Sequence, residues 1–370
     1  MKKYNILIAI MLSAIQGMTQ EGARQSFHFP DVNGYQVLKA DLHTHSVFSD
    51  GMVWPSLRVE EAWREGLDII AITEHIEYRP NKADVNGDHN RSFAIAKEQA
   101  DKAGILVIPG SEITRKMPPG HFNALFITDA NKLEVPDWKE AFREARRQGA
   151  FIFWNHPGWK AQQPDSARWM PEHQMLFDSG YMEGIEIANY EEWYPSALRW
   201  AFNRNLTLLG NSDIHGAIYQ QYEVHKGKHR PITLIFAKNS TLTEIHEALK
   251  QRRTAVLFDG MVIGREEWLT PMIKSTIEVN PYPSASTESR ITMVLENKSD
   301  LDVMLYPTPQ SIAKGVIYPV AIPARSKVLL SLRLKDDEMK AMPSHTVQMT
   351  VKDWYTKENT TLTMDLTFKR

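Results

Sequence analysis

The residues with the most chemistry in them are histidines and carboxylates set in short, separate clusters. Lys39-Ala-Asp-Leu-His-Thr-His-Ser46 places His43 and His45 two apart, so on extended backbone both imidazoles leave the same face. That geometry suits two ligands on one metal ion. Asp50 follows in the tight turn Ser49-Asp-Gly51, His75 comes in Glu74-His75 after an apolar run, and Glu112 sits in Pro109-Gly-Ser-Glu112 after another. His121 opens the segment Phe122 to Ile127, His156 directly follows Phe151 to Trp154, and Asp213 and His215 share Gly210-Asn-Ser-Asp-Ile-His215. Imidazole and carboxylate without thiolate select divalent Zn, Mn or Fe, and nine such groups are too many for one ion. Carboxylates that bridge two ions make the clamp used for phosphoryl displacement. A single histidine after a strand is most often structural, so His121 and His156 gain their meaning from the set.

Something must bring these clusters to one place. From about Lys39 to Asp259, strand-like runs (Leu67 to Thr73, Ile105 to Ile108, Phe151 to Trp154, Gly184 to Ala188, Leu206 to Leu209, Ile232 to Phe236) alternate with stretches of helical periodicity. Pro55 to Gly66, Phe93 to Gly104 and Asp137 to Gly149 each end on a glycine that can adopt the left-handed C-cap. Thr241 and Glu244 fit a capping box before Ile245 and Leu249. Alternating strands and helices predict a parallel sheet, open or closed into a barrel. In a (β/α) barrel the C-terminal strand ends converge on one mouth, and the metal-capable groups stand at those ends.

After about Glu267 the helical pattern is expected to disappear. Ile273 to Val279, Arg290 to Glu296, Asp302 to Tyr306, Lys327 to Leu334, Thr346 to Val351 and Thr361 to Phe368 alternate apolar and polar residues between turn-forming stretches. The pattern predicts a small all-β sandwich over 266–370.

Composition narrows the function further. The 370 residues include no cysteine, which removes disulfides, thiolate metal sites and cysteine nucleophiles. With 43 basic against 45 acidic residues and a net charge of -2, there is no broad positive field for duplex nucleic acid. Residues 1–20 have the layout of a bacterial export signal: Lys2 and Lys3, an apolar run from Ile6 to Ile15, then small and polar residues. That run falls short of the roughly 20 residues a bilayer span requires, and no lipid-accepting cysteine follows. A periplasmic or secreted protein without a stable membrane anchor is expected.

Asp41-Leu-His-Thr-His-Ser46, Asp50-Gly51, Ile72-Thr-Glu-His75, Gly110-Ser-Glu112, His121, Asn155-His156-Pro157 and Ser212-Asp213-Ile-His215 resemble, in order, the motifs of the PHP (polymerase and histidinol phosphatase) family. The resemblance covers roughly Lys39 to Asp259. It implies a distorted (β/α)7 barrel, TIM-like in plan, that holds two to three divalent ions, usually in a phosphoesterase. By motif, it implies that His43, His45, Glu112 and Asp213 hold a first ion, that Glu112 bridges to a second held by His121 and His156, and that Asp50, His75 and His215 hold a third. Glu74 stands where many members have Asp. The β region has no counterpart in the minimal family barrel.

The activity expected is hydrolysis of a small phosphorylated substrate, monoester or diester, by a hydroxide bridging the ions. Loop cations could contact the phosphate, Arg115 first, then Lys160 and Arg79. Among aromatics near the strand ends, Trp154, Trp159, Trp169, Tyr190, Trp193 and Tyr194, one or two could stack on a base or sugar ring. Lys226, Lys228, His229 and Arg230 read as a solvated loop, and His28, His89, His173, His246 and His345 as structural or exposed. Two other classes stay open: hydrolysis of an amide or carboxylic ester by the same centre, and a non-catalytic binding protein whose β region contacts a glycan or protein.

Overall fold

A computed structural model describes residues 24–369; the expected export signal lies outside them. The first unit is built on a run of short strands: β1 (Gln36–Asp41), β2 (Ile69–Ile72), β3 (Leu106–Thr114), β4 (His121–Leu125), β5 (Phe151–Trp154), β6 (Gly184–Asn189), β7 (Glu192–Trp193), β8 (Thr207–Asn211), β9 (Ile232–Ala237), β10 (Thr254–Phe258) and β11 (Met261–Gly264). β2, β5, β6, β8 and β9 are buried at every residue, which is why they read as unbroken apolar runs rather than alternating ones. Helices α1 (Pro55–Arg64), α2 (Arg91–Ala103), α3 (Trp138–Arg147), α4 (Pro171–Asp178), α5 (Pro195–Asn203) and α6 (Leu242–Lys250) lie between them. α2 stops where Gly104 takes φ +71°, a left-handed turn that a side chain would disfavour. Thr241 caps α6 by accepting from the Glu244 N–H, but Glu244 reaches back to the N–H of Lys238, not of Thr241, so the capping box closes one loop further upstream.

β1, β2 and β3 pair in parallel, as do β5, β6 and β8. The parallel pattern that strand and helix alternation predicts is broken at several strands, the hairpin partners β7, β10 and β11 among them. β4 runs antiparallel between β3 and β5, and β9 runs antiparallel to β1. The reason for β4 is the connection: only residues 115–120 separate it from β3, too few for the crossover a parallel neighbour needs. β8 then returns to the first strands. Thr44 and Ile214 form a parallel bridge, the His45 N–H donates to the Ile214 carbonyl, and the Thr233 hydroxyl exchanges bonds with both backbone groups of Gly210. Gly210 must be glycine here, because a Cβ would come within 2.4 Å of Val256.

The C-terminal unit starts with a helix that the alternation reading missed. α7 (Glu266–Thr276) covers the first part of the segment expected to be a strand. Its buried residues Leu269, Met272, Ile273 and Thr276 recur at helical spacing, and only from Ile277 does the chain extend. The remaining strands are β12 (Ile277–Pro281), β13 (Arg290–Asn297), β14 (Val303–Pro307), β15 (Gly315–Val316), β16 (Val320–Ile322), β17 (Lys327–Leu334), β18 (Ser344–Lys357) and β19 (Thr360–Lys369). One ladder has the order β12-β13-β17-β15. The other, holding β16, β14, β18 and β19, is continuous with the first unit, because β18 pairs in parallel with β11 through Val262↔Trp354 and Ile263↔Tyr355. The mixed α/β chain therefore forms two units sharing one large sheet.

Candidate metal centre

The nine histidines and carboxylates singled out above come from seven separate segments, and the strand ends carry them to one place. They fall into three overlapping groups: His43, His45 and Glu112; Glu112, His121 and His156; and His45, Asp50, His75 and His215. Within each group one ligand atom per residue lies within 4.8 Å of all the others. Asp213 joins the first, its Oδ1 lying 3.1 Å from His43 Nε2 and 3.0 Å from His45 Nε2. Glu112 is shared between the first two groups and His45 between the first and third. The family resemblance implied the bridging Glu112 but placed His45 with the first ion alone.

The donor set fits cations. Nδ1 of His43 faces Glu186 Oε1 at 2.9 Å, so the ring donates there and turns the lone pair of Nε2 inward, where His45 Nε2 stands 3.1 Å away. Two imidazole nitrogens brought face to face in a dry interior repel each other unless a positive charge, a proton or a metal ion, sits between them. His215 donates from Nδ1 to the Asp213 carbonyl at 2.7 Å and presents Nε2 to Asp50 Oδ1 at 3.2 Å. Asp50 Oδ1, Glu112 Oε2 and His121 Nδ1 are buried with no partner in hydrogen-bond geometry among the described residues. Such atoms are costly in a folded chain, and here each belongs to one of the ligand groups.

Electrostatics agrees. Against the desolvation that burial imposes, the imidazoles of His75 and His121 hold the Glu112 carboxyl well below its ordinary range. Asp50 and Asp213 are likewise held ionised against desolvation, by His215 and His75 and by His43 and His45. Burial and the positive neighbours His215 and His75 push His45 down to about 3, while Glu112 and Asp50 outweigh desolvation and raise His75 to about 10. Carboxylates stay charged here, and the imidazoles divide between charged and neutral. A bound cation would replace the protons that now balance those charges.

Several supporting residues carry no motif. Glu186, in the middle of β6, is fully buried and accepts from His43 Nδ1, the His156 N–H at 2.7 Å, Asn189 Nδ2 and Asn211 Nδ2. It thus grips members of two groups at once, and His156 needs holding because it sits at φ +28°. A charged residue inside an apolar strand was the available signal. Arg58 on α1, also buried, donates to the carbonyls of His45, Ile214 and His215 and pairs with Glu61, stapling the loops after β1 and β8 together. Arg230 is not part of a solvated basic run: it is fully buried between Asp41 at 2.8 Å and Glu65 at 2.6 Å, and Asp41 in turn accepts from the N–H and hydroxyl of Ser212 beside Asp213. Glu74 accepts from the hydroxyls of Ser46 and Ser49 and from the Ser46 N–H. It shapes the loop that ends in Asp50.

The expected phosphate-binding cations stand as follows. The Arg115 guanidinium meets Glu77 at 2.6 Å and the carbonyls of Val135 and Pro136. Arg79 donates to the carbonyls of Phe48 and Gly87, and Lys160 is exposed. Of the aromatics, Trp154 is buried, stacked on His173 at 3.8 Å and on Trp200, and Trp169 packs edge-on to it. These two belong to the core. Trp159 alone of the six packs its ring against site histidines, 5.6 Å from His121 and 5.2 Å from His156.

No protein-family profile and no curated protein matches the chain. Among solved structures, a two-domain protein of Bacteroides vulgatus containing a predicted PHP-like metal-dependent phosphoesterase is 44% identical, with a TM-score of 0.89 over 94% of this chain and 99% of that one. A provisionally identified metal-dependent phosphoesterase of Bifidobacterium adolescentis is 17% identical, with a TM-score of 0.38 over 48% of this chain and 88% of that one. An amidohydrolase of Chromobacterium violaceum with bound sulfate and no metal is 14% identical, with a TM-score of 0.35 over 52% of this chain and 97% of that one. The first of these, similar along both units, settles the kinship: the chain belongs to the family of two-domain proteins that contain a PHP-like metal-dependent phosphoesterase.

Proposed function

We propose that this chain is an exported metal-dependent phosphoesterase that hydrolyses a small phosphorylated substrate at a cluster of two or three divalent ions. The observation that carries the reading is the overlap of the three ligand groups through His45 and Glu112, since shared ligands hold ions side by side. Divalent ions so held would act as Lewis acids on phosphate oxygens and lower the pKa of water toward neutrality. The chain's own residues do the positioning. Glu186 keeps the proton of His43 on Nδ1 and the Asp213 carbonyl keeps that of His215 on Nδ1, so each ring offers Nε2. Asn155, bonded to both Glu112 Oε1 and Asn123, fixes the rotation of the shared carboxylate. No serine or cysteine nucleophile is required.

The ladder from β9 through β1 to β8, which returns to β9 and β1, is read as the distorted barrel, and the two C-terminal ladders as a sandwich over 266–370. No described helix is long and apolar enough to cross a membrane, in keeping with export directed by residues 1–20 and removal of that segment. The family supports phosphoester chemistry over amide or carboxylic-ester hydrolysis and over pure binding. Hydrolysis of para-nitrophenyl phosphate and bis-para-nitrophenyl phosphate, with and without added Mn or Zn, tests the proposal. Metal-dependent release of nitrophenol from either is expected, and the better reporter separates monoester from diester chemistry. Bound metal with neither reporter cleaved, alongside turnover of an amide or carboxylic ester, would overturn it.

A further inference from the structure

The large apolar side chains left exposed on the first unit are not scattered. Apart from Leu57, those among the described residues are Met52, Trp54, Tyr78, Trp159, Tyr190 and Tyr219. Every one follows the C-terminal end of a parallel strand, in the loops after β1, β2, β5, β6 and β8, and those after β1, β2, β5 and β8 also hold the metal ligands. Isolated exposed apolar residues need no explanation, but exposed aromatics set against a polar centre mark a binding surface. Two touch the centre itself. Trp159 is 41% exposed and packs edge-on to His156 and tilted over His121; Tyr78 is 52% exposed and stands edge-on to His75, 6.0 Å between centroids. One borders the group of Glu112, His121 and His156, the other the group of His45, Asp50, His75 and His215.

Trp159 is also held in place. Its N–H donates to the His156 carbonyl, and its own carbonyl accepts from the N–H groups of Gln162 and Gln163. The turn before it leaves no room for adjustment: a Cβ on Gly158 would approach the Tyr194 ring to 2.5 Å. Meanwhile the nearby guanidiniums are committed, that of Arg115 to Glu77 and that of Arg79 to carbonyls. The surroundings thus favour a ligand with one anionic group directed to the ligand cluster and an apolar, flat remainder over a second anionic group.

We propose that Trp159 and Tyr78 form an aromatic wall that selects phosphoesters whose alcohol carries a planar ring, with Trp159 the principal stacking surface. The proposal rests on the phosphoesterase reading for its substrate and on the exposed rings of Trp159 and Tyr78 against site histidines for its selectivity. Stacking on an aromatic side chain favours a planar ring over a puckered one, so a preference of about tenfold or more is expected.

Benzyl phosphate and cyclohexylmethyl phosphate test it, since their alcohols are similar in volume and acidity and differ in planarity. The wild-type protein should favour the benzyl ester in kcat/KM by about tenfold or more. Trp159→Ala should bring the ratio toward one, Trp159→Phe should keep most of it, and Tyr78→Ala should lower it less. A ratio near one in the wild type, or one unchanged by Trp159→Ala, overturns the wall. Calorimetric binding of benzylphosphonate and cyclohexylmethylphosphonate to the metal-loaded protein separates the two readings. If neither ester is cleaved but the benzyl phosphonate binds more tightly and loses that advantage in Trp159→Ala, the wall stands and the hydrolytic reading falls. If the two phosphonates bind equally and both esters are cleaved at equal rates, the hydrolytic reading stands and the wall falls.

Discussion

The two units bury different things. Around the ligand cluster the first unit buries Asp41, Arg58, Glu65, Glu112, Glu186 and Arg230, all charged or ionisable, each answered by a partner or a ligand group. The core of the C-terminal unit is Leu295, Val303, Leu305, Leu332, Val347, Met349, Val351, Leu366 and Phe368, and its buried polar residues are mostly neutral, such as Thr292, Asn297 and Ser299. Buried charge costs several kcal/mol per ion after relaxation, whereas apolar burial stabilises at about 25 cal/mol per Å². A fold that only needed stability would build both units the second way. On the proposed reading the first unit gives up that stability to fix ligand geometry, and the contrast is what that reading requires.

The sharpest way to break the comparison is to remove the shared carboxylate. Glu112→Ala takes a member from two ligand groups at once. Metal content should fall by at least one equivalent, and metal-dependent hydrolysis by about a hundred- to a thousandfold, the order lost when a transition-state stabiliser is deleted; wild-type turnover with full metal content would contradict the sharing. In the other unit, Phe368→Ala should cost about 3–5 kcal/mol of unfolding free energy, read from denaturant midpoints, with metal content of the folded protein unchanged.

Acid sharpens it further. His173 is buried, stacked on Trp154 and bonded to the Pro119 carbonyl, and burial pushes its imidazole down to about 4. Above pH 6.5 it is neutral in both folded and unfolded chains and costs nothing. As pH falls from 6.5 toward 4 the unfolded chain takes up a proton the folded one refuses, so stability declines by up to about 3 kcal/mol. Relative to wild type, His173→Gln should gain stability across that window, measured as the difference in melting temperature against pH; parallel curves would refute the assignment. The smallest effect is expected from Glu186→Gln, which keeps shape and removes charge. Loss of about 10- to 100-fold in metal affinity or activity, typical of partners behind metal ligands, should appear without a large change in melting temperature.

Much of this was legible beforehand because most of the ligand clusters follow an apolar run, and Phe151 to Trp154 reads as a strand residue for residue. What escaped was long-range. Glu186, Arg58 and Arg230 reach residues 143, 157 and 189 positions away, and nothing local distinguishes Arg58 from the charged face of an amphipathic helix. Arg230 hid in a basic run whose exposed members Lys226 and Lys228 it does not resemble in burial. α7 escaped because the alternation over Ile273 to Val279 straddles a helix end and a strand start, where period 3.6 and period 2 cannot be told apart in so short a window. Trp154 and Trp159 are five residues apart with opposite fates, one stacked in the core and one on the rim; only the fold separates them.

The central claim is that shared ligands hold several ions together. Metal analysis by mass spectrometry of the purified mature protein, after reconstitution with Mn or Zn, tests it most directly. Two to three equivalents per chain, dropping in Glu112→Ala, is the predicted result; no bound metal after reconstitution would contradict the account and leave the binding-protein reading.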